Sequence, residues 1–279
     1  MRLIIISLLI GCTIPLLSGC GQESLPSSPG VESAASEENA AEALTDGKSA
    51  TQSLADGEIT KENLPIVSAA LKAAGLSRVD IFEDWVKAYA DGIPEDTESS
   101  GFADPDCRMT VMLLAGDSIK YTDVEKEYKG TYLMFDMDAI ENQEDYSVLK
   151  DQAKLFTTLF GEKQISKGDF SKALPETWKR YGITFENNKA SIISIVFRTL
   201  EGNEAYVGHT GLLVRHDNGY LFVEKIAFGE PYRVTKVENA KALIDIFSAR
   251  PDYMVEADEP APLVYENDTL LGELNRQKN

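Results

Sequence analysis

Residues 183–237 constrain the fold of this chain more than any other stretch: ITFENNKASIISIVFRTLEGNEAYVGHTGLLVRHDNGYLFVEKIAFGEPYRVTKV. β-Branched and aromatic residues, which suit a pleated and half-buried surface, dominate it. Three turn signals divide it, at Asn187-Asn188, Glu201-Gly202-Asn203 and Asn218-Gly219. Apolar runs separated by short Asn/Gly turns predict an antiparallel meander of at least four strands.

The segments before the meander follow a helical period. Residues 61–76 predict a helix stopped by Gly75. Residues 77–92 predict a second, with Ser77 and Asp80 as a capping-box-like start and Val79, Phe82, Val86 and Tyr89 on one face. A polar loop, 93–106, leads into CRMTVMLLAGDSI, a buried helix for which Asp104 or Asp106 is a natural N-cap. TYLMF (131–135) reads as a short strand. Residues 144–161 and 167–182 read as helices, the latter broken or restarted at Pro175. A last helix, 238–251, ends at Pro251. Helices first and a meander later make an α+β domain.

The N-terminal end is not fold. Met1-Arg2 is followed by an almost unbroken apolar run, Leu3 to Leu17, and then by Leu17-Ser-Gly-Cys20. This is an export signal, and its end resembles the lipobox of bacterial lipoproteins. The resemblance implies a diacylglyceryl thioether on Cys20, cleavage before it, and anchoring on the extracytoplasmic face of the cell membrane. Residues 21–58 are rich in Ser, Ala, Glu, Gly and Asp without aromatics, too little apolar surface to offset ordering entropy. The expected organisation is a signal peptide (1–19), a lipidated Cys20 with a disordered linker (20–58), a single α+β domain (59–256) and a weakly ordered acidic tail (257–279). The formal net charge is −19, or −20 once Arg2 leaves with the signal. Without a Lys/Arg cluster, that average surface repels nucleic acid and anionic lipid headgroups.

Cys12 leaves with the signal and Cys20 takes the lipid, so Cys107 is a single thiol with no internal disulfide partner. It falls in the first turn of the predicted 107 helix, where partial positive charge favours a thiolate. A thiolate nucleophile needs a base, and the chain holds two histidines. His216 falls in a hairpin turn and reads as solvated. His209 lies at the mouth of a central strand. Glu224, on the next strand, could orient His209, but that depends on register. A two-residue Asn218-Gly219 turn leaves Glu224 about 13 Å along the strand from the position opposite His209. A four-residue loop, His216 to Gly219, makes Glu224 its diagonal neighbour. A three-residue loop turns Glu224 to the other face. Two histidines and one thiol, none at ligand spacing, give no zinc pattern, and no cofactor motif is present. DMDAIENQED (136–145) has the carboxylates of a calcium loop without its Gly and spacing.

DCRMTVMLL (106–114) and HTGLLVRHDNGYLFVE (209–224) resemble the Cys-helix and His-strand elements of NlpC-type papain-like peptidases, in the same order. The folded part also resembles an uncharacterised family of bacterial lipoproteins, domain of unknown function 4300, through CRMT and GHTGLLV…GYLFVEKIAF…PY. These resemblances imply a papain-like α+β fold and a thiol amidase or peptidase with Cys107 as nucleophile, His209 as base and Glu224 as orienting group. Cell-envelope peptides would be its substrate. The alternative is a non-enzymatic surface lipoprotein, a binding or assembly module in which Cys107 is a core residue.

Overall fold

The computed structural model describes residues 56–92, 104–165, 169–198, 203–253, 255 and 259–275. The signal, Cys20 and the linker up to residue 55 lie outside the described residues. The fold is mixed α+β, with helices first and an antiparallel sheet in the C-terminal half.

A two-residue strand, β1 (Gly57–Glu58), precedes a helical pair, α1 (Leu64–Ala73) and α2 (Val79–Ala90). Gly75 stops α1 at a φ of 76°, a left-handed conformation that costs glycine little. Val79, Phe82, Trp85 and Val86 bury the inner face of α2. Ser77 does not cap that helix as predicted. Its N–H and hydroxyl both bond Leu114 O, and Arg78 makes the turn at a φ of 51°.

The next helix, α3 (Cys107–Ala115), runs through the centre, and every residue but Arg108 is buried. Met112, Leu113 and Leu114 are fully enclosed. Burial of side chains this size contributes about 1.5–3 kcal/mol each. Next come β2 (Ile119–Lys120), α4 (Met134–Asn142), a 3-10 helix (Glu144–Gln152), α5 (Ala153–Phe160), β3 (Lys163–Gln164), α6 (Ala173–Tyr181) and β4 (Thr184–Phe185). The strand expected at 131–135 is instead the entry into α4. Leu133 is its buried anchor, while Met134 and Phe135 face outward. Pro175 sits in the first turn of α6, where its missing N–H removes no helical bond.

The expected meander is present. β5 (Ala190–Arg198), β6 (Glu204–His216), β7 (Gly219–Lys225) and β8 (Tyr232–Val237) pair antiparallel in chain order. A short helix, α7 (Ala242–Ser248), follows. Where the sequence reads as a weakly ordered tail, β9 (Leu263–Glu266) and β10 (Thr269–Glu273) form a hairpin instead, and β9 joins the sheet beside β5. The turn rests on Asn267 at a φ of 53°, whose side chain accepts from Ile192 N. The sheet order is β1-β8-β7-β6-β5-β9-β10, with β3 also on β6.

Each face of the sheet has its own core. Leu212, Val214, Leu221 and Val223 point towards α3 and the larger core. Ile193, Ile195, Leu213 and Phe222 point towards α7 and a smaller one, where Leu243 and Phe247 cover them. His209 and Glu224 share the α7 face.

Candidate active site

Asp106 caps α3. Its backbone is extended, its carboxylate accepts Met109 N at 2.9 Å, and its carbonyl accepts Thr110 N. Cys107 is therefore the first helical residue, at the positive end of the helix, as expected from the sequence. The side chain is nearly enclosed, at 5% exposure.

His209 arrives from β6 at an irregularity. Ile195 pairs with His209 and the adjacent Val196 with Val207, so Gly208 is an extra, bulged residue. A bulge shifts the alternation and re-aims the next side chain. Here it turns His209 to the α7 face although Val207 faces the larger core. A side chain at Gly208 would collide with the Phe197 ring, whose nearest carbon lies 2.4 Å from a Cβ placed there.

The β6–β7 register decides Glu224. His216 pairs with Gly219 and Arg215 with Tyr220, so the connection is Asp217-Asn218, with Asp217 at a φ of 49°. This register is the one reached with the four-residue loop, although the loop itself is two residues. It places Glu224 diagonal to His209. Glu224 Oε2 lies 2.7 Å from His209 Nε2. The Cys107 side chain stands close enough to the same imidazole to raise its pKa. Since Nε2 faces Glu224, Nδ1 is the nitrogen left for the thiol. The three residues singled out in the sequence thus form one chain, thiol to imidazole to carboxylate. His216 is apart from it, in the hairpin turn beside Asp217.

A fourth member was missed. Arg250, two residues beyond α7, donates from Nη1 to Glu224 Oε2 at 2.8 Å and from Nη2 to Oε1 at 2.5 Å. It also reaches the Tyr253 hydroxyl at 3.3 Å. Phe247 and Tyr253 pack around the imidazole, with ring centroids 6.3 and 5.4 Å away.

These contacts set the charges. Burial alone would raise the Glu224 carboxyl, but hydrogen bonds from Arg250 and His209 outweigh it and hold the pKa at about 2. Burial would lower His209, but the bonds to Cys107 and then Glu224 outweigh it and push the pKa up to about 9. Around neutrality these shifts favour an imidazolium held against an ionised Glu224.

Two hollows open on this chain. The first, about 720 Å³, is lined by Cys107, Asp104, Asp136, Tyr146 and Phe135 among others. The second, about 590 Å³, is lined by His209 and several aromatic rings. Tyr132, Gly208 and residues 226–228 line both. Arg108 binds Asp136 through Nε at 3.0 Å and donates to the Tyr132 hydroxyl at 3.2 Å. Burial, reinforced by Asp106, pushes the Asp136 carboxyl up to about 7, against the pull of Arg108.

The wall of the first hollow is pinned by Asp104, which accepts from Lys225 Nζ and from Gly229 N, each at 2.7 Å. Lys225 is fully buried, 4.3 Å from the centre of the Tyr89 ring, and also bonds Glu230 O. Burial lowers its pKa and raises that of Asp104. Among the described residues, no group of three or more His, Cys, Asp or Glu is placed to hold a metal ion.

Residues 94–271 match the family model described as Domain of unknown function (DUF4300). No curated protein and no solved structure matches the chain.

Proposed function

This chain belongs to the DUF4300 family, whose description carries no activity, and we propose that it is a thiol hydrolase that cleaves an amide bond by acylating Cys107. The observation that carries the reading is the gathering of Cys107, at a helix N-terminus and on an open hollow, with a buried His209 that is itself hydrogen-bonded to Glu224. A cysteine that served only as core would need neither a buried imidazole nor a buried carboxylate behind it.

In this mechanism the Cys107 thiolate attacks the carbonyl carbon, and His209 gives its proton to the leaving nitrogen. His209 then takes a proton from water, which cleaves the thioester. Glu224 holds Nε2–H and favours the imidazolium; Arg250 keeps Glu224 ionised and in place. The oxyanion forms near the Cys107 backbone N–H. The Tyr132 hydroxyl, which accepts from Arg108 and donates to Val207 O at 3.4 Å, would turn from that carbonyl to serve as the side-chain donor that the sequence does not reveal. The cysteine at a helix start and the histidine on an adjoining sheet support a papain-like scaffold. The Leu17–Cys20 motif supports an exported protein tethered to the membrane, where cell-wall peptides are the nearest amide source.

The test is alkylation of the full chain, held in mild detergent, by iodoacetamide at pH 6. Cys107 is expected to react in the native state, and a His209→Ala variant about 10- to 100-fold more slowly. A thiol that reacts only after denaturation overturns the proposal. Cys107-dependent cleavage of peptidoglycan fragments, absent in Cys107→Ala, would then identify the bond.

A further inference from the structure

The two hollows divide the reacting chain between them. Cys107 lines the first and not the second; His209 lines the second and not the first. In any acyl transfer to Cys107 the acyl carbon becomes bonded to sulfur, and the departing nitrogen must lie where His209 can protonate it. The substituent on that nitrogen therefore extends to the histidine side.

That side is aromatic. Phe197, Tyr206, Phe228 and Tyr253 line it. Phe197 and Tyr206 stack with centroids 5.8 Å apart and planes 19° apart, and Tyr132 meets Tyr206 at 4.4 Å. Gly208 leaves room for the Phe197 ring to lie against the strand. Phe228 is 65% exposed on the rim, an apolar ring with little of its own chain against it. Besides the His209 imidazolium, which is already held by Glu224, the charged lining residues are Glu230 and Asp252; among the described residues no lysine or arginine lines the hollow. Such a surface favours apolar rings and disfavours a free carboxylate.

We propose that this second hollow is the leaving-group subsite and takes an amine that bears an aromatic or bulky apolar side chain and continues as an amide rather than ending as a free acid. The inference rests on the thiol-hydrolase reading. By microscopic reversibility the same subsite accepts such an amine as the nucleophile that resolves an acyl-enzyme. With p-nitrophenyl acetate the Cys107 thiolate bonds to the acetyl carbon and p-nitrophenolate leaves. An added amine then attacks the thioester carbonyl, the C–S bond breaks, sulfur keeps the electron pair, and the amine proton passes through His209 to sulfur. The products are an N-acetyl amide and the free thiol.

The experiment follows p-nitrophenol release and N-acetyl product from the full chain with phenylalaninamide, alaninamide or phenylalanine. Phenylalaninamide is expected to resolve the acyl-enzyme at least about tenfold faster per mole than either competitor, since part of a phenyl ring is buried. In Phe228→Ala the ratio should fall severalfold, towards that for a small acetyl thioester free in solution. Equal rates for phenylalaninamide and alaninamide, or a preference for the free acid, overturn the subsite while leaving the hydrolase reading intact. Absence of a Cys107-dependent p-nitrophenol burst overturns both.

Discussion

Replacing Glu224 with Gln keeps the shape and removes the charge. Glu224 Oε2 accepts from His209 Nε2 and Arg250 Nη1, and Oε1 accepts from Arg250 Nη2. An amide has one oxygen. If it takes the Oε2 position, its NH2 faces Arg250 Nη2. If it takes the Oε1 position, its NH2 faces both Arg250 Nη1 and His209 Nε2. Either way a buried donor meets a donor, which costs about 1–3 kcal/mol. The imidazolium also loses an anion at 2.7 Å. Loss of a charge partner this close lowers a histidine pKa by about 1–3 units. The His209 pKa, now at about 9, then approaches or crosses neutrality, and the imidazolium beside the thiol is correspondingly less populated. Iodoacetamide alkylation of Cys107 at pH 8 should slow by about 2- to 100-fold, and the urea midpoint should drop. A folded Glu224→Gln protein that alkylates at the parent rate would show that the carboxylate does not act on the thiol through His209.

Three further outcomes are expected. Tyr132→Phe should lower kcat about 100-fold with little change in KM, because a hydroxyl that binds a developing oxyanion acts in the transition state; an equal rise in KM would assign it to substrate binding. The His209–Glu224 contact should contribute its stability most fully between about pH 4.5 and 6.5. The Glu224 pKa, depressed to about 2, adds stability above 4.5 that is lost as pH falls through 2; the His209 pKa, raised to about 9, adds stability below 6.5 that is lost as pH rises through 9. Each arm amounts to about 3 kcal/mol and both share one contact, so urea unfolding that strengthens from pH 6.5 to 9 would contradict the assignment. Gly208→Ala should cost about 1–3 kcal/mol by displacing the Phe197 ring, read as a shift in urea midpoint.

How far the site could be read from the sequence depends on the range of each interaction. The helix start at Cys107 and a cap at Asp104 or Asp106 are local and were legible, and the structure uses Asp106. The β6–β7 register was reduced to three alternatives because the length and the position of the loop together determine which residues face each other. The choice needed Asp217 to adopt a left-handed φ, which Asp tolerates as well as the expected Asn-Gly pair. Arg250 left no trace, since its partner lies 26 residues away and nothing in SARP sets it apart from a basic residue at a helix end. TYLMF was misread because four apolar residues after a threonine fit a strand or a helix entry equally well. The terminal hairpin was missed because the surrounding acids masked Leu263-Val264-Tyr265 and the Asn267-Asp268 turn.

Glu224 and Lys225 are consecutive buried charges in a strand that is otherwise apolar. Successive residues of a strand point to opposite faces. Glu224 therefore binds Arg250 on the α7 face, while Lys225 binds Asp104, three residues before Cys107, on the other. One strand thus ties the histidine side and the cysteine side of the site to a common backbone. Buried ion pairs of this kind rarely add stability over apolar residues of similar size, whereas removal of one partner costs about 3–5 kcal/mol. Asp104→Leu alone should therefore destabilise the chain strongly, and so should Lys225→Met alone. The double variant should recover most of that loss in urea unfolding. If the pair serves to align the site, the double variant will remain stable yet alkylate Cys107 more slowly, because Asp104 no longer holds the Gly229 turn and the approach to α3 in place. A stable double variant with the parent alkylation rate would reduce the Lys225–Asp104 pair to a replaceable part of the core.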